Sequence, residues 1–262
     1  MTVDNAKSGG STLQTVSRAF EVLRCFDGGE KVLSLGEVTA LLGYNKVTVF
    51  RLCNTLVNEG VLAYDKQATR YRISFGLITL GRKLLQLDGL TDTAHESMEE
   101  ARQKTNETVC LSVREHFEQV VVHSLPSSQP VRYVLEVGSR GSLYNGAAGQ
   151  CLLVNQTQNE LENMIRQNGF SLTTDNSVGS IDKLLTKIEF IQKNGYGISR
   201  GERIAEAAAV ASPIFASNGS VVGVLSIVMP ETRAEKNHLL DCAKVVIATA
   251  QKISNDFVRG VN

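Results

Sequence analysis

Residues 34–60 read Ser-Leu-Gly-Glu-Val-Thr-Ala-Leu-Leu-Gly-Tyr-Asn-Lys-Val-Thr-Val-Phe-Arg-Leu-Cys-Asn-Thr-Leu-Val-Asn-Glu-Gly. This stretch contains two short amphipathic helical patterns joined by Gly43-Tyr44-Asn45, a connection too tight for parallel packing. Two helices that cross steeply over such a turn form a helix-turn-helix, whose second helix can enter a DNA major groove. The pattern therefore predicts either a DNA reader or an ordinary helical hairpin with a solvated face.

Both helical patterns carry their own start and stop signals. Ser34 is a good N-cap, and Glu37 three residues later completes a capping box. Gly43 is a natural stop for the first helix, and Asn45 can cap the second. These signals predict two separate helices rather than one continuous helix.

The second helix separates an apolar face from a polar face that contains no carboxylate before Glu59. Its apolar residues follow the i, i+3, i+4 period of an amphipathic helix. The opposite face carries Lys46, Thr48, Arg51, Asn54 and Thr55. Cations, hydroxyls and amides without acids suit a groove lined by phosphates.

A predicted β-hairpin follows this helix directly. Residues 61–64 and 71–74 are strand-like, and the polar stretch 65–70 is long enough for the loop between them. A hairpin in this position is a wing, and it would bring Lys66, Arg70 and Arg72 to phosphates or a minor groove.

A further helix is predicted over residues 15–26, upstream of the helical pair. Three helices and a hairpin define a winged helix-turn-helix domain over residues 11–75. We expect Arg18, Arg51, Arg70 and Arg72 to make its phosphate contacts.

The distribution of charge agrees with this interpretation, although the whole chain has a formal net charge of +0. Between residues 11 and 85, ten Lys or Arg stand against six Asp or Glu. From residue 86 onward, sixteen bases stand against twenty acids. A modestly basic N-terminal region followed by an acidic C-terminal region fits a nucleic-acid contact confined to the N-terminal region.

Length and composition are those of an ordinary soluble protein, with 262 residues of which 42% are hydrophobic and 21% charged. Residues 1–10 are polar and lack an apolar signal core, so we expect a disordered tail. No apolar run is long enough to span a membrane, which predicts a cytoplasmic protein without a membrane partner. The five scattered cysteines form no CxxC pair and indicate structural thiols in a reducing compartment, without a cofactor or metal cluster.

A linker helix is predicted over residues 76–92, and a second domain over residues 93–262. The linker repeats leucines beyond what a solvated helix needs, which indicates an interface with the second domain or a second subunit. The second domain alternates strand-like and helical runs and is predicted to be α+β with a mainly antiparallel sheet. Its predicted strands span residues 108–114, 120–125, 131–137, 197–199, 208–215 and 221–228, and its helices residues 93–104, 148–154, 160–167, 181–193 and 234–257.

The order of these elements and several motifs resemble the IclR (isocitrate lyase regulator) family of bacterial transcription regulators. The motifs are Leu33-Ser34-Leu35-Gly36-Glu37-Val38, Asn45-Lys46-Val47-Thr48-Val49-Phe50-Arg51-Leu52, Tyr71-Arg72-Ile73, Gly138-Ser139, Ala147-Ala148-Gly149-Gln150, Gly195-Tyr196, Ala211-Ser212-Pro213-Ile214 and Gly223-Val224-Leu225-Ser226. The resemblance implies a GAF-like effector domain behind the winged helix. It also implies homo-dimers or homo-tetramers on double-stranded operator DNA, and gene control by a small-molecule effector.

The resemblance also implies an effector pocket, formed by Tyr133, Ala147, Ala148, Ser199, Ala209 and Ser226. Ala147 and Ala148 stand at the start of a predicted helix, where backbone N–H groups are free to meet an anion. Because several pocket residues are small, the effector is expected to be an aromatic or otherwise larger carboxylate or amide. The expected biological role is repression of a catabolic operon.

Four positions depart from the family pattern. The Ser usual in the recognition helix is Val47, and an aromatic or His position holds Phe50; two apolar residues at a reading face suit thymine-methyl contact. The usual Lys after the loop Gly is Gln150, which removes a positive charge near the ligand loop. A usual Gly before the Ala-rich strand is Glu206.

Two alternative functions remain open in the sequence. The first is a ligand-binding module whose winged helix contacts protein. The second is an enzyme, for which Glu202, Arg203 and Glu206 would be acid and base unless they form a pocket rim or a salt-bridged surface. Its support is small, because the four histidines lie apart and Cys151 has no adjacent His motif. We therefore predict no catalytic residue.

Overall fold

The computed structural model describes residues 13–27, 32–79, 81 and 89–260. The chain divides into two compact units, Met1–Leu84 and Leu85–Asn262. Residues 76–79 are helical, at the start of the predicted linker. The predicted tail over residues 1–10 lies outside the described residues, as do four linker leucines, Leu80, Leu84, Leu85 and Leu87.

The first unit is a winged helix-turn-helix, as predicted. Its elements are α1 (Gln14–Arg24), β1 (Val32–Ser34), α2 (Leu35–Leu42), α3 (Lys46–Asn58), β2 (Leu62–Asp65) and β3 (Arg70–Ile73). The strands form an antiparallel sheet in the order β1-β3-β2, in which β1 was not predicted. The three helices pack around a core that includes Val22, Val38, Val49, Cys53 and Tyr71.

The predicted capping signals are confirmed in the hydrogen bonds of this unit. The Ser34 N–H donates to Glu37 Oε2 at 2.6 Å, and the Glu37 N–H donates to Ser34 Oγ at 3.3 Å. Asn45 Oδ1 accepts from the Val47 N–H at 2.8 Å and starts α3. Gly43 ends α2 with φ +66°, a left-handed conformation that glycine adopts without steric cost. Local signals alone thus set the turn that separates α2 from α3.

The second unit is built on one six-stranded sheet. Its elements are α4 (Leu90–Thr105), β4 (Thr108–Glu115), β5 (Glu118–Leu125), β6 (Arg140–Ser142), α5 (Ala147–Leu152), α6 (Gln158–Asn168), α7 (Ile181–Asn194), β7 (Gly197–Arg200), β8 (Ala207–Phe215), β9 (Val221–Pro230), a 3₁₀ turn (Glu231–Arg233) and α8 (Lys236–Gly260). The strand order is β6-β5-β4-β9-β8-β7, with every neighbouring pair antiparallel. The predicted α+β class with an antiparallel sheet is confirmed.

Helices cover both faces of this sheet. One apolar cluster joins the sheet to α4 and α8 and contains Val210 and Ile227. A second cluster joins it to α5, α6 and α7 and contains Ala211 and Val224. Successive residues of a strand point to opposite faces, so β8 and β9 supply both clusters and are apolar almost throughout.

The strand predicted over residues 131–137 is wrong, because this segment is irregular. Val131, Val134 and Val137 are 69%, 54% and 58% exposed, so the apolar residues that suggested a strand are not buried on a sheet face. The edge of β5 is instead paired by the short strand β6, which the sequence did not indicate. None of the helices in the described residues is long and apolar enough to cross a membrane.

The five cysteines are free thiols, and four of them are buried. Burial raises the pKa of Cys53 and of Cys110 to about 11 and that of Cys242 to about 12, and it raises the pKa of Cys151 as well. Burial raises the pKa of the Cys25 thiol as well, but Cys25 is only half-buried and stays accessible to reagent. We therefore expect an Ellman titration of the native protein to detect Cys25 alone, and all five after unfolding. Rapid reaction of two or more thiols in the native state would contradict the described packing.

Candidate functional site

Helix α3 presents one exposed face, on which most of the predicted reading residues lie. Lys46, Val47, Phe50 and Arg51 are exposed, and Thr48 is half-buried. The opposite face is buried in the core of the unit through Val49, Leu52, Cys53 and Leu56. The helix therefore has the predicted core face and, opposite to it, a face that is exposed to solvent.

Two apolar side chains stand out on the exposed face. Val47 is 59% exposed and Phe50 is 46% exposed. They are three residues apart and Arg51 is four residues from Val47, so the three side chains are neighbours on one helix surface. The Arg51 guanidinium therefore lies beside two apolar side chains, Val47 and Phe50, that can contact a thymine methyl group.

The other predicted phosphate contacts already have protein partners. The Arg18 guanidinium lies 5.0 Å from the centre of the Tyr44 ring. Arg70 is 3.5 Å from a Glu37 carboxylate oxygen and donates to the Val32 carbonyl at 3.1 Å. Arg72 lies over the Phe75 ring at 5.4 Å. These three arginines are engaged within the first unit, whereas the Arg51 side chain makes no ion pair within the described residues.

The second unit contains a cavity between its sheet and the start of α5. With its open mouth the cavity holds about 480 Å³ of empty space. Five of the six predicted effector residues line it, namely Ala147, Ala148, Ser199, Ala209 and Ser226. Residues from α5, β7, β8 and β9 therefore converge on one site.

Tyr133, the sixth predicted effector residue, does not line this cavity. It belongs to the irregular segment that was predicted as a strand, and its carbonyl accepts a hydrogen bond from Thr108 Oγ1 at 2.6 Å. Its hydroxyl donates to the Ala205 carbonyl at 3.0 Å. Leu135, two residues further along the chain, lines the cavity.

The expectation that both N–H groups at the start of α5 are free is wrong for Ala147. Its N–H donates to Ser199 Oγ at 3.0 Å, and the preceding Gly146 N–H donates to Glu202 Oε2 at 3.0 Å. The helix is thus already capped by two side chains of the same unit. The Ala148 N–H has no protein acceptor within the part of the chain that the structure describes.

Glu202 is a buried carboxylate at the wall of this cavity, with a relative exposure of 5%. Besides the Gly146 N–H, its oxygens accept from Gln150 Nε2 at 2.7 Å and from Lys187 Nζ at 2.6 Å. The positive charge that Gln150 lacks is therefore supplied by Lys187. This network makes Glu202 a structural anchor of the α5 start rather than an acid-base group.

Besides Glu202, three polar residues line the cavity that the predicted effector site did not include. Ser112 lies on β4 and Gln119 on β5, and both are buried. Arg203, which the sequence placed in an ambiguous charged cluster, also lines the cavity. A polar residue on a strand that is otherwise largely buried, such as Gln119 beside Val121, is the signal that could have indicated the site. Among the described residues, no cluster of His, Cys, Asp or Glu is arranged to hold a metal ion.

A winged helix-turn-helix whose second helix is exposed and free of carboxylates, followed by a second unit with a cavity that contains a few polar groups, is typical of DNA-binding transcriptional regulators. Residues 15–66 match the family described as "IclR helix-turn-helix domain". Residues 83–255 match "Bacterial transcriptional regulator IclR C-terminal". The chain belongs to the IclR family. It is a transcriptional regulator and not an enzyme.

Relatives match along nearly the whole chain. The HTH-type transcriptional regulator KdgR of Dickeya chrysanthemi is 27% identical over 93% of this chain and 80% of its own length. The HTH-type transcriptional repressor AllR of Escherichia coli K12 is 26% identical over 92% of this chain and 89% of its own length. An IclR homologue from Microbacterium hydrocarbonoxydans, complexed with 4-hydroxybenzoate, shares the fold with a TM-score of 0.78 and 22% identity, covering 94% of this chain and 99% of its own.

Proposed function

We propose that the protein represses a catabolic operon and that a small organic carboxylate or amide controls its binding to operator DNA. The observation that carries the proposal is the exposed face of α3, which offers Lys46, Arg51 and two apolar groups but no carboxylate. The repressor AllR among the relatives supports the direction of control. By linkage, the ligand releases the operator only if it binds the DNA-free protein more tightly.

We propose that Lys46, Val47, Thr48, Phe50 and Arg51 enter a major groove. Arg18, Arg70 and Arg72 are assigned to backbone phosphates. Each of the three already has a contact within the first unit: Arg18 with Tyr44, Arg70 with Glu37 and Arg72 with Phe75. These contacts hold the guanidinium groups in place before DNA binds.

We propose that two chains bind one near-palindromic operator as a dimer or as half of a tetramer. A single recognition helix covers only a few base pairs, and helix-turn-helix dimers place two such helices in successive major grooves, about 34–36 Å apart. Sedimentation of the protein with a duplex carrying its own upstream region tests this stoichiometry. One chain per duplex at saturation would exclude the dimer.

The proposed effector site is the cavity bounded by Ala147, Ala148, Ser199, Ala209 and Ser226. The cavity is open at its mouth and is lined mainly by small side chains with a few convergent polar groups, an arrangement typical of small-molecule sites. The hydroxyls of Ser199 and Ser226 and the Ala148 N–H offer hydrogen bonds at its walls. The homologue complexed with 4-hydroxybenzoate supports an aromatic or similarly sized carboxylate.

The basic test is a gel shift of the full-length protein with DNA from immediately upstream of its own gene. We expect a specific shift that survives competition by unrelated DNA, because base contacts add to the phosphate contacts. Binding that unrelated DNA abolishes at equal mass would favour the alternative in which the winged helix contacts protein.

Substituting uracil for thymine in the operator tests the apolar reading residues. Each lost methyl contact with Val47 or Phe50 is expected to cost about 0.8 kcal/mol, roughly fourfold in affinity. Fluorescence anisotropy with the two duplexes measures the difference. A Val47→Ser protein is the matched variant, and it should discriminate less between thymine and uracil. Equal affinity of the wild-type protein for both duplexes would show that this face does not read methyls.

A further inference from the structure

Gln119 is a buried amide that the protein leaves unpaired. It lies on β5, is 1% exposed, and lines the cavity of the second unit. Neither its Oε1 nor its Nε2 has a hydrogen-bond partner within the described residues. Buried polar groups in folded proteins almost always form hydrogen bonds. The Gln119 amide, with one acceptor and one donor group, is therefore expected to bond to a molecule inside the cavity.

Arg203 lies beside this amide. Gly141 on β6 pairs with Gln119 across the strands, so a side chain at Gly141 would point to the same face of the sheet as Gln119. A Cβ built on Gly141 would stand only 2.5 Å from Arg203 Nε. The guanidinium therefore occupies the place that a side chain at Gly141 would take, next to the Gln119 amide.

The Arg203 guanidinium lacks an acidic partner in the described part of the chain. It donates to the Arg140 carbonyl at 3.0 Å, and burial lowers its pKa from the usual value. The neighbouring carboxylate of Glu202 is held by Lys187 instead. A half-buried guanidinium without a carboxylate is a binding group for an anion, since Arg recognises carboxylates through paired N–H donors.

We propose that Arg203 and Gln119 form the head-group subsite of the effector cavity and that it takes a 2-hydroxy acid. The ligand carboxylate accepts from Arg203 and from Gln119 Nε2, and the hydroxyl on the adjacent carbon donates to Gln119 Oε1. A 2-oxo acid has no such donor and would leave Oε1 unpaired. This inference rests on the proposed control by a small molecule and specifies the chemical class of that molecule.

The test compares matched acids on the full-length, DNA-free protein by calorimetric titration. The first series is lactate, pyruvate, propionate and lactamide; the second is mandelate, benzoylformate, phenylacetate and mandelamide. In at least one series we expect the 2-hydroxy acid to bind about tenfold or more tightly than its 2-oxo and unsubstituted counterparts, and the amide not to bind. Failure of every acid to bind, or equal binding of the 2-hydroxy and 2-oxo acids, would overturn the proposal.

Three variants separate recognition from folding. Gln119→Leu should fold with an unchanged or higher Tm, because it removes an unpaired buried amide, yet lose the preference for the 2-hydroxy acid. Gly141→Ala should displace the flexible end of Arg203 and weaken binding of the carboxylate about as much as Arg203→Met. Arg166→Met, at an exposed position of α6, is the control and should bind like the wild type. Retention of the 2-hydroxy preference in Gln119→Leu would refute the assigned role of Gln119.

The gel shift with upstream DNA keeps the two proposals distinguishable. If the protein binds this DNA but shows none of the expected acid preferences, the ligand class is wrong and the regulator function stands. If the acids bind as expected and the protein does not bind the DNA, the subsite stands and the proposed function fails.

Discussion

Replacing Arg51 by alanine is expected to weaken operator binding of the full-length protein about 10- to 100-fold. Arg51 is an exposed cation on α3, directly after Phe50, on the face that we propose enters the groove. A good arginine contact to a base edge contributes about 1–3 kcal/mol of discrimination, and a 10- to 100-fold loss of affinity lies within that range. Because the side chain makes no ion pair among the described residues, its removal should leave folding unchanged.

Fluorescence anisotropy over a range of salt concentrations separates a base contact from a phosphate contact. If Arg51 contacts a base, Arg51→Ala should lose affinity mainly for the specific operator, and the slope of log K against log salt should stay the same. If it contacts a phosphate, affinity for all sequences falls and the slope of log K against log salt decreases by about 0.9. Arg259→Ala, which removes one positive charge at an exposed position of α8, is the matched control. Unchanged affinity and unchanged slope in Arg51→Ala would show that α3 is not the reading helix.

The first unit could be predicted closely because its signals are local. Ser34, Glu37 and Asn45 act on backbone groups only two or three residues away, so the sequence shows both partners of each hydrogen bond. The positive φ of Gly43 is likewise a property of one residue. The strand β1 was missed because it has three residues and is stabilised by pairing with β3, almost forty positions further on.

The cavity could be predicted only in part. Some of its polar groups are far apart in the sequence and are brought together by the register in which the strands pair. The five predicted residues that line it follow from the family resemblance, whereas Gln119 and Arg203 become neighbours only through the pairing of β5 with β6. A register between strands separated by a long irregular segment cannot be read from periodicity. The strand over residues 131–137, which contains Tyr133, was predicted wrongly because an apolar run looks like a strand until its exposure is known.

Glu206, which stands where the family usually has Gly, adopts a backbone conformation that favours glycine. Its backbone has φ +59°, a left-handed conformation in which a non-glycine residue costs about 1–2 kcal/mol. The glycine that is usual at this position would adopt it without that cost. The chain therefore carries strain at the entrance to β8, next to the segment that contains Glu202 and Arg203.

Replacing Glu202 by alanine is expected to destabilise the second unit by about 3 kcal/mol, which lowers its Tm on the order of 10 °C. The carboxylate is 5% exposed and is the common acceptor for the Gly146 N–H, the Gln150 amide and the Lys187 ammonium. Its removal leaves all three donors without this acceptor and opens a void at the start of α5. Breaking a buried ion pair costs about 3–5 kcal/mol. Lys187 is about one third exposed, so water can solvate its ammonium group once Glu202 is gone, and we expect a destabilisation at the lower end of that range.

Differential scanning calorimetry of the full chain measures this loss, and hydrogen exchange locates it. The Gly146 amide should exchange faster in Glu202→Ala, since its acceptor is gone, while the amides that form the cap of α2 keep their protection. Glu202→Gln retains an oxygen acceptor without the charge and should lose less stability. Glu189→Ala removes an exposed carboxylate from α7 and is the matched control, expected to change stability by less than about 0.5 kcal/mol. A loss in Glu202→Ala as small as that of Glu189→Ala would mean that Glu202 does not anchor the cavity wall.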